Sequence, residues 1–129
     1  SPPMNQFAAT LEDGASGPVA RANGTSIQLH ASEALRGSAG REVIVGIRPE
    51  HVMLGADEGT AEIPINLDLI ETLGSEALLH THVGNEPFVA KVETHGEIGH
   101  LNGVDALHVK PERVKLFDKD TGRAIGRAA

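Results

Sequence analysis

Cysteine is absent from the 129 residues, and so are tryptophan and tyrosine. Without thiols there is neither a disulfide framework nor a thiolate metal site, which permits a cytoplasmic home. Three phenylalanines, Phe7, Phe88 and Phe117, are all that the aromatic side chains contribute. A core must therefore be assembled from Val, Ile, Leu and Ala, and no aromatic series is present on which nucleobases would stack. No apolar run approaches the roughly 20 residues that span a bilayer, and Ser-Pro-Pro-Met-Asn at the start lacks the basic and apolar regions of a signal peptide. Cations are in short supply, with 11 Lys and Arg against 18 Asp and Glu and a net charge of −7. That balance argues against a binder of phosphate backbones, whose affinity rests on basic side chains. Nucleic acid and direct membrane insertion are thus not expected.

What is present is a unit used twice. Val43-Ile44-Val45-Gly46-Ile47-Arg48-Pro49-Glu50-His51-Val52-Met53-Leu54 is echoed by Asp105-Ala106-Leu107-His108-Val109-Lys110-Pro111-Glu112-Arg113-Val114-Lys115-Leu116. Pro49 and Pro111 are 62 positions apart, 111 less 49, about half the chain. The echo implies one domain built from two similar halves. Its physics is local: β-branched residues favour a pleated strand, and proline cannot donate to the ladder and holds its predecessor extended. Each strand should end at Arg48 or Lys110. Proline at the first position of a helical turn, followed by a carboxylate near that turn's amides, then gives a tight turn feeding the next strand.

The remaining pattern is one of short strands. Residues 7–11 read as a first strand, and 19–22 and 26–30 as a hairpin around Asn23-Gly24. Residues 32–36 form a helical turn capped by Ser32 and ended by Gly37. The alternation of Ile63, Ile65, Leu67 and Leu69 predicts one half-buried strand over 61–71, with Pro64 placing its start at an edge or bulge. Strands over 77–83 and 87–93 come next with short links, and 95–105 reads as glycine-broken loop. Together these predict an all-β, OB-fold-like barrel built from two similar halves, with one or two short helical turns. Residues 1–117 are expected to form the domain and 118–129 a polar, peripheral tail.

Candidate sites are few. Arg48, Pro49 and Glu50, with Pro111 and Glu112, read as structural turns whose charged residues cap and pair at the surface. Gly74, Ser75 and Glu76 bring a flexible backbone, a hydroxyl and a carboxylate, which serve either a plain bend of the strand with solvated side chains, or a small ligand, or contact with a twin subunit or a regulator. His80 and His82 leave one face of a strand together, and that exposed face is a second place for contact with a subunit or regulator. They would supply half of a zinc site, but a full set of ligands is not evident at tight spacing, and no metal is expected. Catalysis has no support: no Gly-x-Ser-x-Gly elbow is present. No Gly-x-x-x-x-Gly-Lys-Ser/Thr loop is present either, so nothing cradles nucleotide phosphates in the P-loop manner.

Six pieces fall in an order that resembles a known family: Ser1 to Asn5, Gly46-Ile47-Arg48-Pro49-Glu50-His51, Leu73-Gly74-Ser75-Glu76, Pro87-Phe88-Val89-Ala90, Pro111-Glu112-Arg113, and Leu116-Phe117-Asp118 with Thr121-Gly122. The chain is similar to the C-terminal regulatory, transport-associated OB-type domain of ATPase subunits from maltose-type ABC sugar importers. The glycine-rich stretch 95–105 is longer than that pattern leads one to expect. The resemblance implies a regulatory and dimerisation domain that lacks the nucleotide-binding domain. The parent importer would carry sugars, polyols or glycerol phosphate. It further implies no enzyme activity or cofactor in this stretch, ATP and Mg being held by the parent subunit's other domain. The implied partners are a second copy, the nucleotide-binding domain and through it membrane permease subunits, and a regulatory protein. The implied location is cytoplasmic, at the inner face of the membrane. The alternative is a small-molecule or oxyanion-sensing OB-like domain.

Overall fold

A computed structural model describes residues 2–22 and 24–125. Ten strands form three antiparallel sheets. Strands β1 (Asn5–Gly14), β2 (Gly17–Ala22), β3 (Thr25–Gln28), β4 (Glu42–Ile47) and β10 (Lys115–Asp118) make a five-stranded sheet in the order β10-β4-β1-β2-β3. A two-stranded sheet pairs β5 (Ala61–Pro64) with β9 (Ala106–Val109), and a three-stranded one joins β6 (Asn66–Leu73), β7 (Glu76–Val83) and β8 (Glu86–Glu93) in sequence order. The only helical segments among the described residues are four 3-10 turns: η1 (Glu33–Leu35), η2 (Pro49–His51), η3 (Gly99–Leu101) and η4 (Pro111–Arg113). The architecture is all-β and OB-like, as the strand pattern predicts, with four such turns where one or two were expected.

The two halves share one wiring diagram. In the first, β1 pairs with β4 along its N-terminal part and with β2 along its C-terminal part. In the second, β5 pairs with β9 and β6 with β7, so β5 and β6 together stand where β1 stands. The segments after the Pro-Glu turns are exchanged. β10, which succeeds η4, pairs with β4 of the first half through Lys115↔Gly46, while Met53, which succeeds η2, bridges to His108 of the second. Moving the first pair by 62 positions, one partner down and the other up, gives the second. Both amides of the Met53–His108 bridge donate across it, at 2.7 and 2.9 Å. A single aliphatic core, with Phe7 and Phe88 in tilted contact at 6.4 Å between ring centroids, is shared by both halves.

Several expectations are corrected. The strand predicted over 61–71 is two strands in different sheets. Pro64, which has no amide to donate, is the last residue of β5 and pairs with Ala106, and the Ile65 amide donates to the Asp105 carbonyl at 3.0 Å, where the pairing with β9 stops and the chain passes to β7. Beyond it a bulge at Asp68 shifts the register, so Leu67 and Ile70 pack on the core while Leu69, predicted inward, is 60% exposed. A bulge inserts one extra residue and so turns the next residues of the strand to the other face. Ser32 sits at the N-terminal cap of η1 but its hydroxyl makes no capping bond. The predicted loop 95–105 contains η3, whose Leu101 is fully buried. The boundary expected at 117/118 falls inside β10, and the chain turns back on that strand through a Phe117↔Ala124 bridge and an Ile125 amide donating to Leu116. Of the predicted hairpin pair, Asn23 lies outside the described residues. So do residues 126–129 of the predicted tail.

Candidate interaction surface

The predicted site residues fall into two groups. Arg48 and Lys110 are extended residues that begin η2 and η4, and Pro49 and Pro111 take the first helical positions. The His51 amide donates to the Arg48 carbonyl and the Arg113 amide to that of Lys110, each at 2.9 Å. The identical closures arise from the shared Pro-Glu sequence. The expected surface pairing is different, however: neither Arg48 with Glu50 nor Lys110 with Glu112 is an ion pair among the described residues. Glu112 faces His30 at 3.7 Å instead. Its carboxyl is held below the usual range, first by its own backbone amide and then, against a small burial penalty, by His30. His51 is shifted down, first by burial and then by the positive charge of Arg113.

Gly74, Ser75 and Glu76 belong to the turn between β6 and β7. Leu73 pairs with Glu76, leaving Gly74 and Ser75 as a two-residue loop. Gly74 has φ +73°, a left-handed angle that favours glycine at a tight hairpin. The Ser75 carbonyl is fastened to the end of β8, accepting from the Thr94 amide at 2.8 Å and the Thr94 hydroxyl at 3.1 Å. Glu76 reaches Lys91 of β8 at 3.6 Å. The loop is thus anchored to β8.

From that turn the β6–β7–β8 sheet presents an outer face whose rows are set by the register: Leu73–Glu76–Glu93, Glu71–Leu78–Lys91, Leu69–His80–Val89 and Asn66–His82–Pro87. His80 and His82 share this face. His80 Nε2 is hydrogen-bonded to Glu71 Oε1 at 3.0 Å, and His82 Nδ1 to Asp68. Each imidazole is matched to a carboxylate of β6, and among the described residues no cluster of three or more His, Asp or Glu converges to hold a metal ion. Between and beside these pairs lie Leu69, 60% exposed, and Leu73, 45% exposed. Leu78 is buried on this outer face and stands apart from the core. Sequence reasoning found the histidines but missed Leu69, because only the bulge brings it here.

Of the concavities that flank the Pro-Glu turns, two are lined by the segments that follow them. One, about 430 Å³, is lined by Glu50, Glu76 and Glu93 with Lys91, so the first motif turn and the 73–76 loop share a rim. The other, about 410 Å³, lies beside η4 and β10 and is lined by Arg48, Pro111 and Glu112 among others.

Comparison with known proteins agrees with this geometry. A family model described as the MalK OB fold domain matches residues 1–52, and one described as the TOBE domain matches residues 45–101. The chain is 34% identical over 129 residues to the sn-glycerol-3-phosphate import ATP-binding protein UgpC of Bordetella avium, covering 97% of this chain and 34% of that protein. It is 32% identical over 131 residues to UgpC of Salmonella typhimurium, again covering 97% and 34%. The chain therefore spans about a third of the length of the curated relatives it matches. Among solved structures, the cytoplasmic molybdate-binding protein ModG superposes with a TM-score of 0.59 at 21% identity, over 87% of this chain and 94% of that one. At that identity the likeness is one of fold.

Proposed function

The chain belongs to the transport-associated OB-type domains of ABC importer ATP-binding subunits, and from that premise we propose that it is the regulatory and dimerisation module of such a subunit. The importer would carry sugars or related solutes such as polyols or glycerol phosphate, the last being what the named relatives import. ATP and Mg would bind in the parent subunit's nucleotide-binding domain, consistent with the lack of a P-loop in this stretch. Through that domain the module would associate with permease subunits at the cytoplasmic face of the membrane. Among the described residues no helix is long and apolar enough to cross a membrane itself.

The observation that supports dimerisation is the outer face of β6–β8. Exposed leucines flanked by His–carboxylate pairs make a patch that is apolar at its centre and polar at its margin, the composition of an interface. A two-fold contact uses one patch on both copies, and the antiparallel rows of this sheet are suited to it. A regulatory protein would meet the same sheet or the rim shared by Glu50 and Glu76. The test is sedimentation of the chain with and without Leu69→Glu. The parent chain should associate at high concentration, and the variant should remain monomeric with an unchanged melting temperature. A parent chain that stays monomeric, together with an ATP-binding subunit that pairs equally well without this region, would remove the reading.

The second reading, a small-molecule or oxyanion sensor, draws support from one feature, the cavity beside η4 and β10.

A further inference from the structure

The two concavities are counterparts under the internal repeat. Glu50, Val52, Met53 and Leu54 line the first; the residues 62 positions later, Glu112, Val114, Lys115 and Leu116, line the second. Lys91 and Val92 of the first correspond in the same way to Leu29 and His30 of the second. The repeat therefore builds two concavities from corresponding positions and lines them with different side chains.

The first copy is an open, carboxylate-rich groove. The second is more enclosed and has an apolar wall of Met4, Leu35, Val114, Phe117 and Ile125. Gly46 makes that wall possible. A Cβ there would stand 2.9 Å from both the Met4 sulfur and the Phe117 ring, so any larger residue would push these side chains away from β4. At the mouth stand Arg48 and Lys115, neither of which is in an ion pair among the described residues. Glu112, the carboxylate that also lines the cavity, faces His30. Ser32 lines it too, with a hydroxyl that is buried and makes no hydrogen bond. A buried polar atom left unpaired costs stability, and a ligand acceptor or donor would satisfy it.

We propose that this second cavity binds a small amphiphilic anion: a single carboxylate, phosphate or sulfonate head between Arg48, Lys115 and the Ser32 hydroxyl, with a short apolar body against Leu35, Val114 and Ile125. The volume is within the range of small-molecule sites, and an apolar wall with a few convergent polar groups is their usual composition. A chain of net charge −7 repels anions in general, so selection rests on these local cations. The proposal deepens the sensor reading and is independent of dimerisation; the Leu69→Glu chain should bind as the parent does.

The experiment is a nuclear magnetic resonance titration of the chain with octanoate, octanol and inorganic phosphate. Octanoate should bind saturably, one per chain, moving the signals of Leu35, Val114 and Ile125. Octanol and phosphate, each lacking one half of the recognition, should bind at least about tenfold more weakly, as should octanoate to Arg48→Gln or Lys115→Gln. Arg48 is exposed and Lys115 half-buried, so both variants should keep the fold, which unchanged amide spectra away from the cavity would check, and loss of binding then reads on the site. Equal binding of octanol or of phosphate, shifts confined to another surface, or undiminished affinity in both variants would overturn the proposal.

Discussion

Asn5 is joined to Val89 by two hydrogen bonds: its side-chain amide donates to the Val89 carbonyl at 2.8 Å, and its side-chain oxygen accepts from the Val89 amide at 2.7 Å. The side chain thereby acts as a one-residue strand, continuing the edge of β8 and fastening it to the start of β1. Asn5 is buried and Val89 half-buried, so access of water to the freed groups is restricted. Asn5→Ala should leave both backbone groups of Val89 unpaired and lower stability by about 3 kcal/mol, since each buried unsatisfied group costs roughly 1–3 kcal/mol. Urea denaturation measures it: the midpoint should fall with the slope unchanged.

Leu101 is fully buried although glycines surround it in sequence. The 3-10 turn that carries it closes the core between β8 and β9. Leu101→Ala should cost about 2–5 kcal/mol, the usual range for emptying a leucine-sized site. The opposite substitution class is the control: Ile98→Ala, at an exposed neighbouring position, should change the denaturation midpoint little.

Strand ends at Pro49 and Pro111, and the hairpin at Gly74, were legible in the sequence because proline and glycine act through their own backbone. The bulge at Asp68 was not, since a bulge is defined by what lies on the neighbouring strand. Asn5 was equally hidden, its partner being 84 residues away. For the candidate surface, period-two spacing placed His80 and His82 together, but their partners Glu71 and Asp68 and the exposed Leu69 all depend on register. The cavity beside η4 had one trace in the sequence, Gly46 within an otherwise β-branched strand, which marks a close approach to the backbone.

Asp118 joins the end of β10 to Arg41, 2.7 Å from its guanidinium, and accepts amide hydrogens of Asp120 and Thr121, each at 2.9 Å. Arg41 first, and the Thr121 amide next, hold its carboxyl well below the usual value of 3.8, at about 2. A carboxylate lowered on folding contributes stability above its unfolded value and loses it as pH falls through the folded one. The melting temperature should therefore decline between about pH 5 and pH 2. In Asp118→Asn this decline should be shallower, with a lower starting point at neutral pH. Melts recorded across that interval test it, and parallel curves for the two proteins would contradict the assignment.

The exchange of Met53 and β10 between the halves has a further consequence. Neither half owns the strand that completes it, so a polypeptide ending near Gly55 would be open at β4, with a surplus Met53 segment and no second half to receive it. Two such polypeptides would answer each other's need, in the manner of domain swapping. The stretch between Leu54 and Ala61 converts that bimolecular event into an intramolecular one, replacing protein concentration by a tether. The single chain is, in this sense, an obligate pair whose members can no longer be diluted apart.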